Sequence, residues 1–225
     1  VEVTGLKAKA YKGNLRRVLA EAMLGNGVLC VEGVSDAEAL YSASAVLEER
    51  SEEGAYTPLD LSGVTIVQCE GDGGLLRYGE FFSGLGLKTY AFYDRQKNDA
   101  VSDDIEALFD EAWELEQTGI EYLLAEEISI GVVRGFLEEA EAWDDYPHNA
   151  QKPKLFGYDE VADDDDVRKL CKRVLKARKG SGYAQHLVEM CDEDDLPSIV
   201  VEALEAISDA LPNRLVGDDD DEDGN

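Results

Sequence analysis

An apolar run, Val28-Leu29-Cys30-Val31, ends in Glu32-Gly33 and passes at once into Ser35-Asp36-Ala37-Glu38, which reads as a helix start. A buried strand that ends in a carboxylate, a glycine turn and a second carboxylate in the first helical turn is a plan for a divalent-metal site. In open α/β sheets, ligands gather at the carboxyl ends of parallel strands. Further strand-end acids follow along the chain: Glu70 with Asp72, Asp94, and Glu126 with Glu127. Hard cations such as Mg²⁺ take oxygen ligands and keep several waters, so two or three carboxylates suffice. With 50 Asp and Glu in the chain, some reach strand ends by chance, and Glu70 and Asp72 are read that way.

The elements that must position these acids follow from periodicity. Residues 14–25 read as a lead-in helix, with Asn14 as N-cap, Leu15, Val18, Leu19, Ala22 and Met23 on one face, and Gly25 as its stop. Strand one is 28–31, and Ser35 and Glu38 have the capping-box spacing of a helix running to about Arg50. A polar loop over 51–62 leads to strand two at 64–68. Gly71, Gly73 and Gly74, a short helix over 75–83 and strand three at 88–93 follow, and strand three ends in Asp94. The 3,4 spacing of Ile105, Leu108, Phe109, Ala112 and Leu115 predicts a helix over 102–118, and Ile120–Leu124 reads as strand four, ending at Glu126-Glu127.

This alternation predicts an α/β fold with a mostly parallel four-stranded sheet flanked by helices. Beyond residue 130 only helical patterns appear, at 130–142, 166–179, 182–191 and 197–211. The stretch 144–165 is polar, interrupted by Pro147 and Pro153, and reads as a loop. The expected organisation is a helical lead-in (1–27), a catalytic core (28–132), a C-terminal helical subdomain (133–215) and a disordered acidic tail (216–225).

The formal net charge is −29, which reads as a solvated surface, or one selected by a salty cytoplasm, and disfavours unaided contact with nucleic-acid phosphates. Cys30, Cys69, Cys171 and Cys191 show no metal-binding spacing, and Cys30 and Cys69 read as buried thiols. His148 and His186 lack metal-ligand spacing and read as structural or surface residues, and Trp113 and Trp143 as packing in helical contexts. No signal peptide and no bilayer-length apolar run is seen, so a cytoplasmic protein is expected. The chain begins at Val1 rather than Met, which reads as a fragment with a partner domain upstream.

The order strand–Glu32-Gly33, then Ala91-Phe92-Tyr93-Asp94, resembles the TOPRIM domain of topoisomerases, primases and several nucleases. Glu32-Gly33-Val34-Ser35-Asp36, Gly71 ahead of a short helix and strand, and the segment Lys176-Ala177-Arg178-Lys179-Gly180-Ser181-Gly182-Tyr183-Ala184 narrow it. They resemble the TOPRIM half of OLD-family (overcoming lysogenization defect) ATP-dependent endonucleases, over about residues 14–210. The resemblance implies a DNA endonuclease dependent on Mg²⁺ or Mn²⁺, with two ions, acting in phage defence or DNA repair. It implies metal ligands at Glu32, Asp36, Asp94 and either Glu126 or Glu127, with Glu32 and Lys179 as the catalytic residues. It also implies an N-terminal ABC-type ATPase in the same full-length protein, whose Gly-x-x-x-x-Gly-Lys-Ser/Thr loop this chain lacks, and a homodimer in that context. One departure stands out: where many TOPRIM domains carry a second Asp two residues after the first, this chain has Arg95-Gln96. Asp99 or the Glu126/Glu127 pair are the substitutes to look for. The departure keeps open a catalytically silent binding module, and a primase-type domain is a further alternative.

Residues 168–179 hold seven bases and no acids, one third of the 21 bases in the chain. Arg168, Lys169, Lys172, Arg173, Lys176 and Lys179 at helical spacing predict a cationic face that tracks a DNA backbone without reading sequence. The competing reading is a helix neutralised by Asp163-Asp164-Asp165-Asp166 at its start.

Overall fold

The computed structural model describes residues 15–52, 54–148 and 163–211. Val28, Leu29, Cys30 and Val31 are all fully buried, as their unbroken apolarity requires of a strand covered on both faces. They form β1 (Gly27–Val31), which pairs in parallel with β2 (Val64–Gln68) and β3 (Lys88–Tyr93). A fourth strand, β4 (Glu111–Glu114), pairs in parallel with β3 and completes the sheet order β2-β1-β3-β4. The fold class is therefore α/β with a four-stranded, all-parallel sheet.

The two-residue period of the strands divides the interior into two clusters. Leu29, Val31, Tyr90 and Phe92 point to one face and Val28, Cys30, Ala91 and Tyr93 to the other. The second face is covered by α1 (Leu15–Leu24), α3 (Asp72–Gly84) and α4 (Asp99–Leu108), through Leu19, Ala22, Leu75, Phe82 and Ile105. The first face receives α2 (Val34–Arg50), α5 (Ile120–Glu127), α6 (Ile130–Glu141), α7 (Asp164–Ala177), α8 (Tyr183–Glu189) and α9 (Ser198–Ala210). The helices beyond residue 130 thus share one continuous core with the sheet.

Strands one to three lie where their sequences predict them. The stretch after α4 differs. The expected helix over 102–118 ends at Leu108, and Asp110 N–H then donates to Thr89 O at 2.8 Å, starting β4 beside β3. Trp113 and Leu115, two residues apart, bury on one face, and Trp113 stacks on Tyr90 with ring centroids 6.3 Å apart. The expected strand at Ile120–Leu124 is α5, so Glu126 and Glu127 are not strand-end acids but lie in the last turn of a helix. A short, wholly apolar run does not distinguish a buried strand from a buried helix.

All four cysteines are buried and unpaired in disulfides. Met23, expected on the inner face of the lead-in helix, is instead exposed. Trp143 packs edge-to-face on Tyr183, 4.6 Å away, and against His186, whose Nε2 meets Glu139 at 2.9 Å. No helix among the described residues is long and apolar enough to cross a membrane. Asn14, most of the 144–165 loop, and the acidic tail lie outside the described residues.

Candidate metal and nucleic-acid site

Two elements are built so that acids converge at the carboxyl edge of the sheet. β1 ends at Val31, and Glu32 turns the chain into α2. Gly33 caps that helix, its N–H donating to Asp36 Oδ2 at 2.7 Å. The cap therefore uses Gly33 and Asp36, not the expected Ser35–Glu38 pair, because the helix starts at Val34. The neighbouring strand β3 ends at Tyr93, and Asp94 N–H donates to Glu32 Oε1 at 3.2 Å. This turn is further held by Arg95 N–H donating to Gln117 O at 2.9 Å.

Gly74 and Gly180 let the chain approach this edge closely. A Cβ on Gly74 would lie 1.6 Å from Cys69 O, so only glycine lets α3 start directly under the β2 turn. Gly180 has φ of +70°, and a Cβ there would sit 3.0 Å from Val34 Cγ1. The turn after α7 thereby rests on the start of α2 and delivers Lys179 to the acids.

The result is a cleft of about 270 Å³ lined by Glu32, Asp36, Asp94, Glu121 and Lys179. Glu121, in the first turn of α5, is a site residue that the sequence reading missed. It is 1% exposed and ion-paired with Lys179 Nζ at 2.7 Å. Glu126 and Glu127 do not line this cleft; from Glu121 to Glu127 the helix rises about 9 Å. Both Asp36 and Glu121 occupy first helical turns, where the helix dipole favours negative charge. The signal was present in sequence: an acid one to three residues after a glycine that follows a strand, as at Gly33/Asp36.

The carboxylates repel one another. Burial, then Asp94, Glu121 and Glu32, push Asp36 up to about 7, against the lowering bond from Gly33 N–H. Burial and Glu121 push Asp94 up to about 6, with Lys179 opposing. Asp94 Oδ1 is buried with no hydrogen-bond partner. Among the described residues, no three His, Cys, Asp or Glu side chains are drawn together tightly enough to enclose an ion. The donor set nonetheless fits a hard divalent cation: all carboxylate oxygen, one oxygen buried and unpartnered, and a charge excess that a cation relieves.

Residues 23–95 match the family model of the overcoming lysogenization defect protein-like TOPRIM domain. This segment is similar to OLD-like TOPRIM domains. The OLD-like match spans β1 to Asp94, and so includes Glu32, Asp36 and Asp94. Beyond it, the fold is similar to the C-terminal region of the Xanthomonas campestris pv. campestris OLD protein, at 22% identity and a TM-score of 0.55, covering 85% of this chain and 96% of that one. It is also similar to the C-terminal region of the Burkholderia pseudomallei OLD protein, at 18% identity and a TM-score of 0.57, covering 84% and 100%. No curated protein matches the chain.

The basic helix divides into two groups. Arg168 is built into the fold: its Nη1 donates to Ala125 O at 2.7 Å and Ile128 O at 3.0 Å, satisfying carbonyls at the end of α5. Lys169 pairs with Asp166 at 2.8 Å, and Arg178 bonds the backbone and carboxylate of Asp145. Lys172 and Lys176 instead sit over the Tyr122 ring, 4.4 and 4.7 Å from its centroid. Among the described residues, no carboxylate is ion-paired with Lys172, Arg173 or Lys176, and Tyr122 adjoins Glu121. Arg168→Ala is expected to lower stability by about 2 kcal/mol, because two carbonyls lose a charged donor. Urea denaturation checks this; nucleic-acid affinity of the folded variant should change less than in Lys172→Ala.

Proposed function

We propose that this chain is a divalent-metal-dependent DNA endonuclease, the nuclease half of an OLD-type ATPase-nuclease. The observation that carries this reading is the meeting of Glu32, Asp36, Asp94 and Glu121 with Lys179 in one cleft at the carboxyl edge of a parallel sheet. The OLD-like TOPRIM match over the first three acids supports it. Glu32, Asp36 and Asp94 would hold Mg²⁺ or Mn²⁺. A bound ion would supply Lewis-acid polarisation of a phosphoryl oxygen and activation of water.

The chain's own groups do the rest. Gly33 N–H and Asp94 N–H fix the rotamers of Asp36 and Glu32. Glu121 anchors the Lys179 ammonium in the cleft, where it faces the charge that builds on the phosphate. Lys172, Arg173 and Lys176 lie on the helix that leads to Lys179 and would carry flanking phosphates. Replacing Lys172 and Lys176 by Gln is expected to weaken DNA binding uniformly across sequences and to lower the salt slope by about 2, about 1 per lost contact. Fluorescence anisotropy at several salt concentrations measures it. The membership of an ATPase half, a homodimer, and a role in phage defence or DNA repair belong to the same proposal.

Glu32→Ala is the test. Cleavage of labelled duplex in Mn²⁺ should disappear while binding in Ca²⁺ persists. A wild-type chain that binds DNA but shows no metal-dependent cleavage would instead be a silent binding module.

A further inference from the structure

Glu32 and Asp94 form a wall between two cavities of opposite chemistry. On one side lies the 270 Å³ cleft, where they are joined by Asp36 and Glu121. On the other lies a cavity of about 470 Å³, where they are joined by Arg95, Gln96, Lys97 and Asn98 and by no other carboxylate. Gln96 closes the wall: its Nε2 donates to Glu32 Oε1 at 3.1 Å and to Asp94 O at 2.8 Å. Its backbone N–H donates to Glu114 Oε1 at 2.7 Å, which fixes the turn. Glu114, with Asp99 and Asp103, lines only the outer cleft next door. Among the described residues Arg95 and Lys97 are ion-paired with no carboxylate, in a chain of net charge −29.

An amide that donates to Glu32 cannot also bind a cation through that nitrogen, and two cations repel a second metal ion. Donor amides with Arg and Lys are the usual surroundings of a phosphate. We infer that the chain holds one divalent ion tightly, on the Asp36 side, and that the Gln96 side receives a phosphate group of the nucleic-acid backbone in place of a second ion. This rests on the proposed nuclease reading of the same site. Gln96 is then a positioning residue for Glu32, and Arg95 and Lys97 are phosphate contacts.

Electron paramagnetic resonance titration of the purified chain with Mn²⁺ at pH 8 tests it. Wild type should bind one ion tightly, and Gln96→Asp or Gln96→Glu should gain a second of similar affinity. The double variant Arg95→Gln/Lys97→Gln should still bind one Mn²⁺. Its salt slope for a single-stranded oligonucleotide in Ca²⁺ should drop by about 1.4, from two contacts at about 0.7 each. Two equally tight ions in wild type would overturn the inference and leave the nuclease reading standing. So would an unchanged salt slope in the double variant, or no second ion in either folded Gln96 variant. Binding of no Mn²⁺ would remove the metal-dependent reading itself, and this inference with it.

Discussion

Lys179→Ala should slow metal-dependent cleavage by roughly 10²–10³-fold, the usual loss when one group that stabilises transition-state charge is removed. Among the described residues Lys179 is the only cation lining the acid cleft, and it reaches the acids through Glu121, which is 1% exposed. Removing it also strands a buried carboxylate, which costs about 1–3 kcal/mol. The two effects separate in Lys179→Ala/Glu121→Gln. The neutral glutamine should recover most of the lost stability, while cleavage should stay as low as in the single variant. Single-turnover rates and thermal melts, taken on the same preparations, check both. Retained cleavage in Lys179→Ala would place the charge-stabilising group elsewhere.

The second large effect is on stability, and its sign is set by the acids. An aspartate with an ordinary value of 3.8 stands at about 7 at Asp36 and about 6 at Asp94, each raised first by burial. The folded chain therefore binds protons more tightly than the unfolded one. The stability this contributes is complete below about pH 4 and is lost as pH rises through about 6 and 7. Without divalent metal, the chain should be less stable at pH 8 than at pH 5. Asp36→Asn, which keeps an acceptor for Gly33 N–H, should remove much of that loss. It should stabilise the metal-free chain at pH 8 by about 2–4 kcal/mol, the upper figure being the free energy that corresponds to the rise of Asp36 from 3.8 to about 7. Urea denaturation in EDTA at the two pH values measures it. Mn²⁺ should raise the melting temperature of wild type more at pH 8 than at pH 5, and hardly at all in Asp36→Asn. A variant less stable than wild type at pH 8 would contradict the repulsion argument.

Much of this site was legible in sequence because local rules and the global fold agree there. Apolar runs at 28–31, 64–68 and 88–93 have one reading as buried parallel strands. Carboxylates directly after the first and third fall at the ligand edge. Legibility failed between residues 102 and 124, where two periods coincide. Ile105, Leu108 and Phe109 follow a helical period, and Ala112 and Leu115 extend it by accident, although Trp113 and Leu115 bury as a strand pair. That slip moved strand four into α5 and pointed to Glu126 and Glu127 instead of Glu121. The basic helix was visible as charge, but the bonding of half-buried Arg168 to the end of α5 depends on contacts 40 and 43 residues away in sequence.

Proposed metal-dependent cleavage is read by incubating the chain with supercoiled plasmid in Mg²⁺, Mn²⁺, Ca²⁺ or EDTA, beside Glu32→Ala. Nicked or linear product in Mg²⁺ or Mn²⁺, absent in EDTA and in Glu32→Ala, is the expected result. Plasmid that stays supercoiled under every ion, or that is cut equally by Glu32→Ala, would contradict it.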